Sequence, residues 1–324
     1  MISKNISKII FQKNMKIAVS GSTAYDRIMD FPGFFKDHIL PDKIHVLNIS
    51  FCVSTLREGF GGTAGNIAYN LKLLELEPLI FSQAGNDFNQ YRDWLRKNKI
   101  ETKYIKLYRD ELTAAAYIIT DQNNNQITGF HPGAMKKKCD FDLGAIKKAK
   151  FFLVAPGNNN DMMTSIDVAK KLKIPYIFDF GQQITAQSKP MLLHGVNSAF
   201  AVIANDYEID LMLKKTGLTK NKILDKIKIL ITTLGPRGSV FETSSKRIKI
   251  PAAKPKNTSD PTGAGDAFRA GLLKGLVKNY SLEKTGRLAA LISVYTVEKY
   301  GTQTHKFTQA ELSKRYLINF KEKL

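Results

Sequence analysis

Residues 260–276 have the sequence DPTGAGDAFRAGLLKGL, in which a Gly-Ala-Gly turn runs directly into an amphipathic helix. The first N–H groups of a helix have no partner within the helix, and its N-terminus carries about half a positive charge. Glycines let a ligand approach this backbone closely. The stretch therefore predicts a helix start that binds an anion and suits a phosphoryl group in transit.

Asp266 follows this turn and falls in the first turn of the predicted helix. A carboxylate at that place can accept a proton from an alcohol while the N–H groups hold the phosphate. The alternative is a purely structural helix start, in which Asp266 only complements the helix dipole. The residues by themselves leave both interpretations open.

Short apolar strands alternate with helices through the rest of the chain. We predict strands at 16–20, 78–83, 151–154, 176–180, 199–204 and 228–233, and helices at 62–74, 88–97, 161–172, 206–214, 265–278 and 282–299. This alternation is typical of βαβ units around a mostly parallel central sheet with helices on both faces. We therefore expect an α/β fold.

Two segments interrupt this alternation and predict a small β-sheet lid. Residues 27–57 lack a helical period and contain strand-like runs at 44–46 and 48–53, and residues 113–130 have the pattern of a hairpin. We see no internal repeat and no linker, so we expect one domain over 15–324 with the lid inserted. Residues 1–14 hold three lysines and no acid, which predicts a disordered extension or an upstream start codon; a targeting peptide is the alternative.

Composition restricts the class of protein. Lys and Arg number 49 against 29 Asp and Glu among 324 residues, which gives a net charge of +20. The lysines are scattered and form no stripe with interleaved aromatic residues, so we expect a lysine-rich, solvated surface and no nucleic-acid partner. The alternative is that the charge attracts an anionic ligand such as a nucleotide. Two cysteines fit a reducing, cytoplasmic location, and the lack of a run of ~18 apolar residues predicts no membrane partner.

Several nucleotide-binding motifs are missing. The chain has no G-x-x-x-x-G-K-[ST] loop and no HRD or DFG set, which excludes P-loop enzymes and protein kinases. The sequence GGTAGN at 61–66 lacks the glycine spacing of the dinucleotide fingerprint. Any phosphate chemistry must therefore use another kind of site.

Four motifs together resemble the ribokinase (PfkB) family of sugar and nucleoside kinases. They are GGTAGN at 61–66, Asn-x-x-Glu at 205–208, Thr-x-Gly-x-x-Gly at 233–238 and DPTGAGD at 260–266, and they follow the family's order. The resemblance covers residues 16 to about 305. It implies a ribokinase-like three-layer core with a β lid, and an enzyme that uses ATP and Mg²⁺ to phosphorylate an alcohol.

Further segments resemble the bacterial adenosine kinases of that family. They are GSTAYDRIMDFPG (21–33), LPDKIHVLNISF (40–51), DFNQYRDWL (87–95), FHPGAM (130–135) and GTQTH (301–305). The resemblance implies phosphorylation of the 5′-hydroxyl of adenosine to give AMP, as in purine salvage. The alternatives are a sugar or sugar-phosphate kinase on the same scaffold and a non-catalytic nucleotide-binding protein.

The resemblance also implies a role for individual residues. Asp266 is the expected base, and the backbone of Gly263, Ala264 and Gly265 is the expected anion hole. The other implied residues are Asp26, Gly62, Asn66, Ser22, Ser50, Phe130 and Gln183 for the acceptor, and Asn205, Glu208, Thr233, Gly235 and Gly238 for ATP. Glu208 is expected to hold Mg²⁺ through water, a monovalent cation such as K⁺ is implied near Asp260, and relatives form a homodimer through the lid.

Some positions depart from the pattern of the adenosine kinases. The residues after Gln183 do not match, and a basic residue expected near Ala186 is absent. Small residues at 114–116 stand where an aromatic residue is usual. These differences leave the contacts to the base of the acceptor open, and do not affect the phosphoryl-transfer motifs.

Overall fold

The computed structural model describes residues 15–40, 48–123 and 125–324. Within these ranges the strands are β1 (Lys16–Ser20), β2 (Ala24–Asp30), β3 (Thr55–Gly61), β4 (Glu77–Ala84), β5 (Ile105–Leu107), β6 (Ala114–Thr120), β7 (Gln126–His131), β8 (Ala149–Val154), β9 (Tyr176–Phe178), β10 (Ala201–Asn205), β11 (Ile229–Thr233), β12 (Ser239–Glu242) and β13 (Arg247–Ile250). The α-helices are α1 (Thr63–Leu73), α2 (Asn89–Lys97), α3 (Leu143–Ile146), α4 (Asn159–Leu172), α5 (Lys189–Val196), α6 (Asp206–Thr216), α7 (Lys220–Leu224), α8 (Ala264–Val277), α9 (Leu282–Val297) and α10 (Gln309–Phe320).

The main sheet has the strand order β13-β12-β11-β10-β9-β8-β1-β4-β5. The strands from β11 to β5 run parallel, and β12 and β13 are antiparallel additions at one edge. Successive residues of β1 show why both faces are covered: Ile17 and Val19 pack into one buried cluster and Ala18 into another. This confirms the predicted α/β fold with a mostly parallel central sheet.

Each face of the main sheet has its own layer of helices. On one face, α1, α8 and α9 contribute residues such as Ile67, Leu272 and Leu291 to the buried core. On the other face, α4 and α6 contribute Ile166 and Met212. No helix in the described ranges combines the length and the apolar character that crossing a membrane requires.

A second sheet of four strands, in the order β3-β2-β6-β7, stands apart from the main sheet and forms the lid. The lid strands β2 and β3 lie between β1 and α1 in the chain, and β6 and β7 follow later. The root of the lid, where it joins the main domain, therefore lies at the carboxyl end of β1. The predicted hairpin is present as β6 and β7, which pair antiparallel. The predicted lid sheet is therefore confirmed.

The predicted strand at 48–53 is wrong, and the run at 44–46 lies outside the described residues. Residues 48–53 have no regular secondary structure, because the apolar pattern there reflects an aromatic cluster in which Phe51 packs on Phe31 and Phe35. The lid strand lies further on, in β3, which pairs with β2 along its whole length. It has little apolar alternation because most of its residues are exposed.

Candidate active site

A cleft of about 610 Å³ opens between the lid and the carboxyl ends of the main-sheet strands. Carboxyl ends of parallel strands are the usual place for ligands in α/β sheets. Most of the predicted site residues line this one cleft, namely Ser22, Asp26, Gly62, Asn66, Phe130, Gln183, Asn205, Glu208, Thr233, Gly263, Gly265 and Asp266. Residues more than 200 positions apart in the chain therefore meet in a single site.

Four predicted residues do not line the cleft. Ser50 is exposed in the segment before β3. Gly235 and Gly238 shape the turn between β11 and β12, beside Thr233. Ala264 lies at the start of α8, but its N–H donates to the carbonyl of Pro261 at 3.2 Å. The N–H of Ala264 is thus engaged, and Gly263 and Gly265 are the glycines of the turn that face the cleft.

The N-terminus of α8 forms the floor of the cleft. Gly263 caps the helix with φ = +77°, and a Cβ there would lie 2.9 Å from the Thr302 side chain. A side chain would therefore be strained and would clash, so the position requires glycine. Gly265 is exposed to the cleft, and within the described residues nothing accepts its N–H. This N–H group is available to an anionic ligand.

Asp266 lies in the first turn of α8, next to this helix tip. Its carboxylate accepts a hydrogen bond from Asn66 Nδ2 at 2.9 Å. Burial raises the pKa of Asp266 to about 7, against the opposing effects of the Asn66 hydrogen bond and the Arg269 charge. A carboxyl group with a pKa near neutrality is well matched to general-base work at physiological pH.

This raised pKa predicts how stability responds to replacement of Asp266. At pH values between the ordinary pKa of an aspartate and about 7, Asp266 is protonated in the folded state but ionised in the unfolded state. The free energy of unfolding therefore falls as the pH rises through this range, because folding must bind a proton that becomes scarcer. We expect Asp266→Asn to raise the thermal midpoint at pH 8.5 and to change it much less at pH 4.5. Thermal melts across this pH range measure the difference; an equal shift at both ends would contradict the account.

Asp26 and Asn66 form the wall beneath the lid. Asp26 lies on β2, and burial raises the pKa of its carboxyl to about 6, with the Asp260 charge adding to the effect. Asn66 lies in the first turn of α1, and Gly62 is the N-cap residue before that helix. Gly62 has φ = +81°, and a Cβ there would come within 2.6 Å of the backbone of Ser22 and Ala24. This glycine lets the start of α1 pack tightly against the root of the lid.

Ser22, Phe130 and Gln183 also line the cleft. Ser22 Oγ accepts the N–H of Thr63 at 3.0 Å, so this hydroxyl also caps α1. The Phe130 side chain is 45% exposed on β7 and faces the cleft from the lid. An exposed ring in that place is available to stack on a planar ligand.

Asn205 and Glu208 start helix α6 on the other side of the cleft. The Asn205 side chain accepts the N–H of Glu208 at 2.8 Å, and the Glu208 carboxylate accepts the N–H of Asn205 at 2.9 Å. This reciprocal pair is a capping box. Burial raises the pKa of Glu208. The two residues therefore fix the helix start as well as lining the cleft.

Sequence reasoning missed Arg269 and Asp179, which also line the cleft. Their side chains are only 9% and 1% exposed. Arg269 Nη2 donates to Asp179 at 2.9 Å, and Arg269 Nη1 donates to the carbonyl of Gly265 at 3.0 Å. The ion pair thus fixes the α8 tip to the end of β9. The available signal was an arginine three residues after Asp266, with apolar residues and glycine on either side of it in α8.

We expect Arg269→Met to lower the free energy of unfolding by about 3–5 kcal/mol, because Asp179 is left buried without a cation. Arg237→Met is the matched control, since Arg237 pairs with Asp206 at the surface and such pairs contribute at most about 1 kcal/mol. Chemical denaturation compares the two variants. Equal stability of the two would contradict the structural role of the buried pair.

The fold and the cleft define a class of protein: a phosphotransferase that acts on a hydroxyl group. The family model described as "pfkB family carbohydrate kinase" matches residues 16–309. The chain therefore belongs to the PfkB family, and its ATP-dependent kinase activity follows from that membership.

Relatives with known structures or curated names agree with this assignment. The nucleoside kinase of Methanocaldococcus jannaschii is 33% identical over 297 residues, which cover 90% of this chain and 94% of that protein. The Burkholderia thailandensis nucleoside kinase in complex with inosine has a TM-score of 0.87 at 35% identity, covering 95% of this chain and 99% of that one. The same kinase in complex with ADP-inosine has a TM-score of 0.85 at 37% identity, covering 95% and 97%.

Proposed function

We propose that this protein is an ATP-dependent nucleoside kinase that phosphorylates the 5′-hydroxyl, with adenosine as the preferred acceptor. The observation that carries the proposal is the placement of Asp266 beside the exposed tip of α8, in the same cleft as Asp26 and under the lid. The similarity to nucleoside kinases, one of them bound to inosine, supports a nucleoside as the acceptor class.

The proposed mechanism assigns a task to each group in the cleft. The Asp26 carboxylate accepts a hydrogen bond from each of the two hydroxyl groups of the ribose diol, which orients the 5′-hydroxyl toward Asp266. The 5′-oxygen forms a bond to the γ-phosphorus of ATP while the bond from that phosphorus to the β–γ bridging oxygen breaks, and Asp266 takes the hydroxyl proton. The N–H groups of the α8 tip stabilise the negative charge on the transferring group.

We expect ATP and Mg²⁺ to bind in the other half of the cleft. Asn205, Glu208 and Thr233 lie where the phosphates of ATP would extend from the α8 tip, and Gly235 and Gly238 shape the adjacent turn. No group of three or more metal-binding side chains occurs among residues 15–40, 48–123 and 125–324. Mg²⁺ is therefore expected to bind mainly to the phosphates, with Glu208 as a ligand through water, and it would neutralise phosphate charge.

Four further properties stay predictions. A monovalent cation is expected to bind near Asp260. The carboxylate of Asp260 already accepts hydrogen bonds from the N–H groups of Thr262 and Gly301, at 2.9 and 3.0 Å. A homodimer through the lid would cover its exposed edge strand β7. The single kinase domain over 15–324 and the cytoplasmic location rest on the sequence alone, and residues 1–14 lie outside the described residues.

An acceptor panel tests the proposed function. The purified protein is given ATP and Mg²⁺ with adenosine, inosine, ribose or fructose 6-phosphate, and ADP formation is followed in a coupled assay. We expect the largest kcat/KM with adenosine and little turnover with the sugars. A preference for a sugar would replace the nucleoside assignment, and ATP binding without any turnover would favour a non-catalytic nucleotide-binding protein.

A further inference from the structure

A chain of hydrogen-bonded side chains leads from Trp94, a half-buried residue on α2, to the Asp266 carboxylate. Trp94 Nε1 donates to Gln303 Oε1 at 3.1 Å, and Gln303 Nε2 donates to Asn66 Oδ1 at 3.0 Å. Asn66 Nδ2 then donates to Asp266 at 2.9 Å. We call these four residues the amide chain. They come from α2, the segment after α9, α1 and α8, so only the tertiary fold brings them together.

Trp94, at one end of the amide chain, determines which way each hydrogen bond in the chain is donated. The indole N–H of Trp94 can only donate, so Gln303 must turn its carbonyl oxygen toward Trp94. Its NH₂ group then faces Asn66 Oδ1 and Tyr91 Oη. Tyr91 can accept because its own proton goes to the carbonyl of Gly61 at 2.7 Å. Both protons of the Gln303 amide are therefore used, and the amide has one favourable orientation.

The same reasoning fixes the orientation of Asn66. Its amide oxygen accepts from Gln303, so its NH₂ group must face the Asp266 carboxylate. Thr302 Oγ1 lies 2.7 Å from the same oxygen and 2.8 Å from the carbonyl oxygen of Phe60. The hydroxyl group of Thr302 has only one proton, so these two acceptors compete for it. Gln303 is thus the donor with a proton committed to Asn66. If Gln303 did not donate this hydrogen bond, the Asn66 amide could rotate by 180°, and its oxygen would then face the Asp266 carboxylate and repel it.

We propose that Gln303 is a positioning residue, which orients the Asn66 amide so that its N–H group faces the Asp266 carboxylate. Gln303 is 2% exposed and is absent from the cleft wall, so it acts through Asn66 and does not touch the acceptor. The consequence for activity rests on the proposed function, in which Asp266 is the base. The orientation itself does not depend on which acceptor the enzyme uses.

The ionisation of Asp266 reports this orientation. Other charged or titratable groups around it are Arg269 on its own helix, Asp179 after β9, Asp26 on the lid and Tyr91 on α2. Gln303→Met keeps the length of the side chain and leaves Arg269, Asp179 and Asp26 unchanged. It removes the hydrogen bond that Gln303 donates to Tyr91, but burial raises the pKa of Tyr91, so this phenol is neutral in both proteins. Since the Asn66 hydrogen bond lowers the pKa of Asp266, loss of its orientation moves this pKa upward.

Gln303→Met is the primary test. Carboxyl ¹³C NMR of the ligand-free protein, with Asp266→Asn to assign the signal, is expected to show a higher Asp266 pKa in the variant. The acid limb of the kcat profile should shift to higher pH, and kcat at pH 7 should fall by about 10- to 100-fold, as for other residues that orient a catalytic group. The KM for ATP should change little.

Two controls separate positioning from general damage. Gln309→Met removes an amide that donates to the carbonyl of Leu73, at the far end of α1, and should leave pKa and kcat as in the wild type. Trp94→Phe removes the indole N–H and one of the two fused rings but keeps an aromatic ring against Phe60. It should shift the pKa of Asp266 in the same direction as Gln303→Met, and it provides the test if Gln303→Met folds poorly.

A double variant gives the decisive outcome. In an Asn66→Ala background, Gln303→Met should lower kcat by less than about twofold, because the two residues act in series. An unchanged Asp266 pKa in both Gln303→Met and Trp94→Phe, or a full further loss of rate in the Asn66→Ala background, would overturn the proposal. The NMR readout needs no acceptor, so it stands even if the nucleoside kinase assignment fails.

Discussion

Asp266→Asn is expected to lower kcat by about 10²–10⁴-fold, the usual loss when a positioned general base is removed. The amide keeps the shape of the side chain and can still accept the hydrogen bond from Asn66, so the fold is retained. It cannot take the proton of the attacking hydroxyl. Because the base acts only in the chemical step, the KM for ATP should change little.

Steady-state kinetics with ATP and the best nucleoside of the panel measure this effect. Asp210→Asn is the matched control, because Asp210 is exposed on α6 and is absent from the cleft wall. Circular dichroism shows whether both variants are folded. A folded Asp266→Asn protein with the kcat of the wild type would remove Asp266 from the role of base.

Asp26→Asn is expected to lower kcat/KM for a ribonucleoside by about 10²-fold, since each hydrogen bond to a charged group contributes about 1.5–3 kcal/mol. The asparagine has one oxygen and one NH₂ group where the carboxylate has two acceptors, so it fits a diol poorly. Asp26 lies in the cleft wall and away from the N-terminus of α6, so kinetics with respect to ATP should stay close to the wild type.

A substrate lacking the diol makes this test specific. The wild type should discriminate strongly against a 2′,3′-dideoxynucleoside, and Asp26→Asn should lose most of that discrimination. Asp30→Asn is the control on the same strand, because Asp30 lies at the other end of β2 and bonds to Thr55 and Arg57. If Asp26→Asn discriminated as strongly as the wild type, another group would have to bind the diol.

Local patterns were enough to predict the main elements. The strand at 16–20 matches β1, and the helix after Gly263 begins at Ala264, because apolar periodicity and glycine punctuation are properties of neighbouring residues. The hairpin of β6 and β7 was likewise predicted from alternation around a polar turn. Lid strand β3 was missed because its stability comes from pairing with β2 and little of it is buried.

The connections within the site could not be predicted from local sequence. Gln303 meets Asn66 across 237 positions, and Arg269 meets Asp179 across 90. Sequence similarity did single out GTQTH at 301–305, but only the fold shows that Gln303 faces the residue that contacts Asp266. Ser50 illustrates the reverse case, since its segment resembles a pocket region while the residue is exposed and outside the cleft wall.

The central claim is that the α8 tip and Asp266 transfer the γ-phosphoryl group of ATP to a nucleoside 5′-hydroxyl. The most direct measurement is ³¹P NMR of the products formed from ATP, Mg²⁺ and adenosine by the wild type and by Asp266→Asn. We expect one AMP with its phosphate on the 5′-oxygen for each ADP formed by the wild type, and almost none with the variant. A phosphate on the 2′- or 3′-oxygen, or equal yields from both proteins, would contradict it.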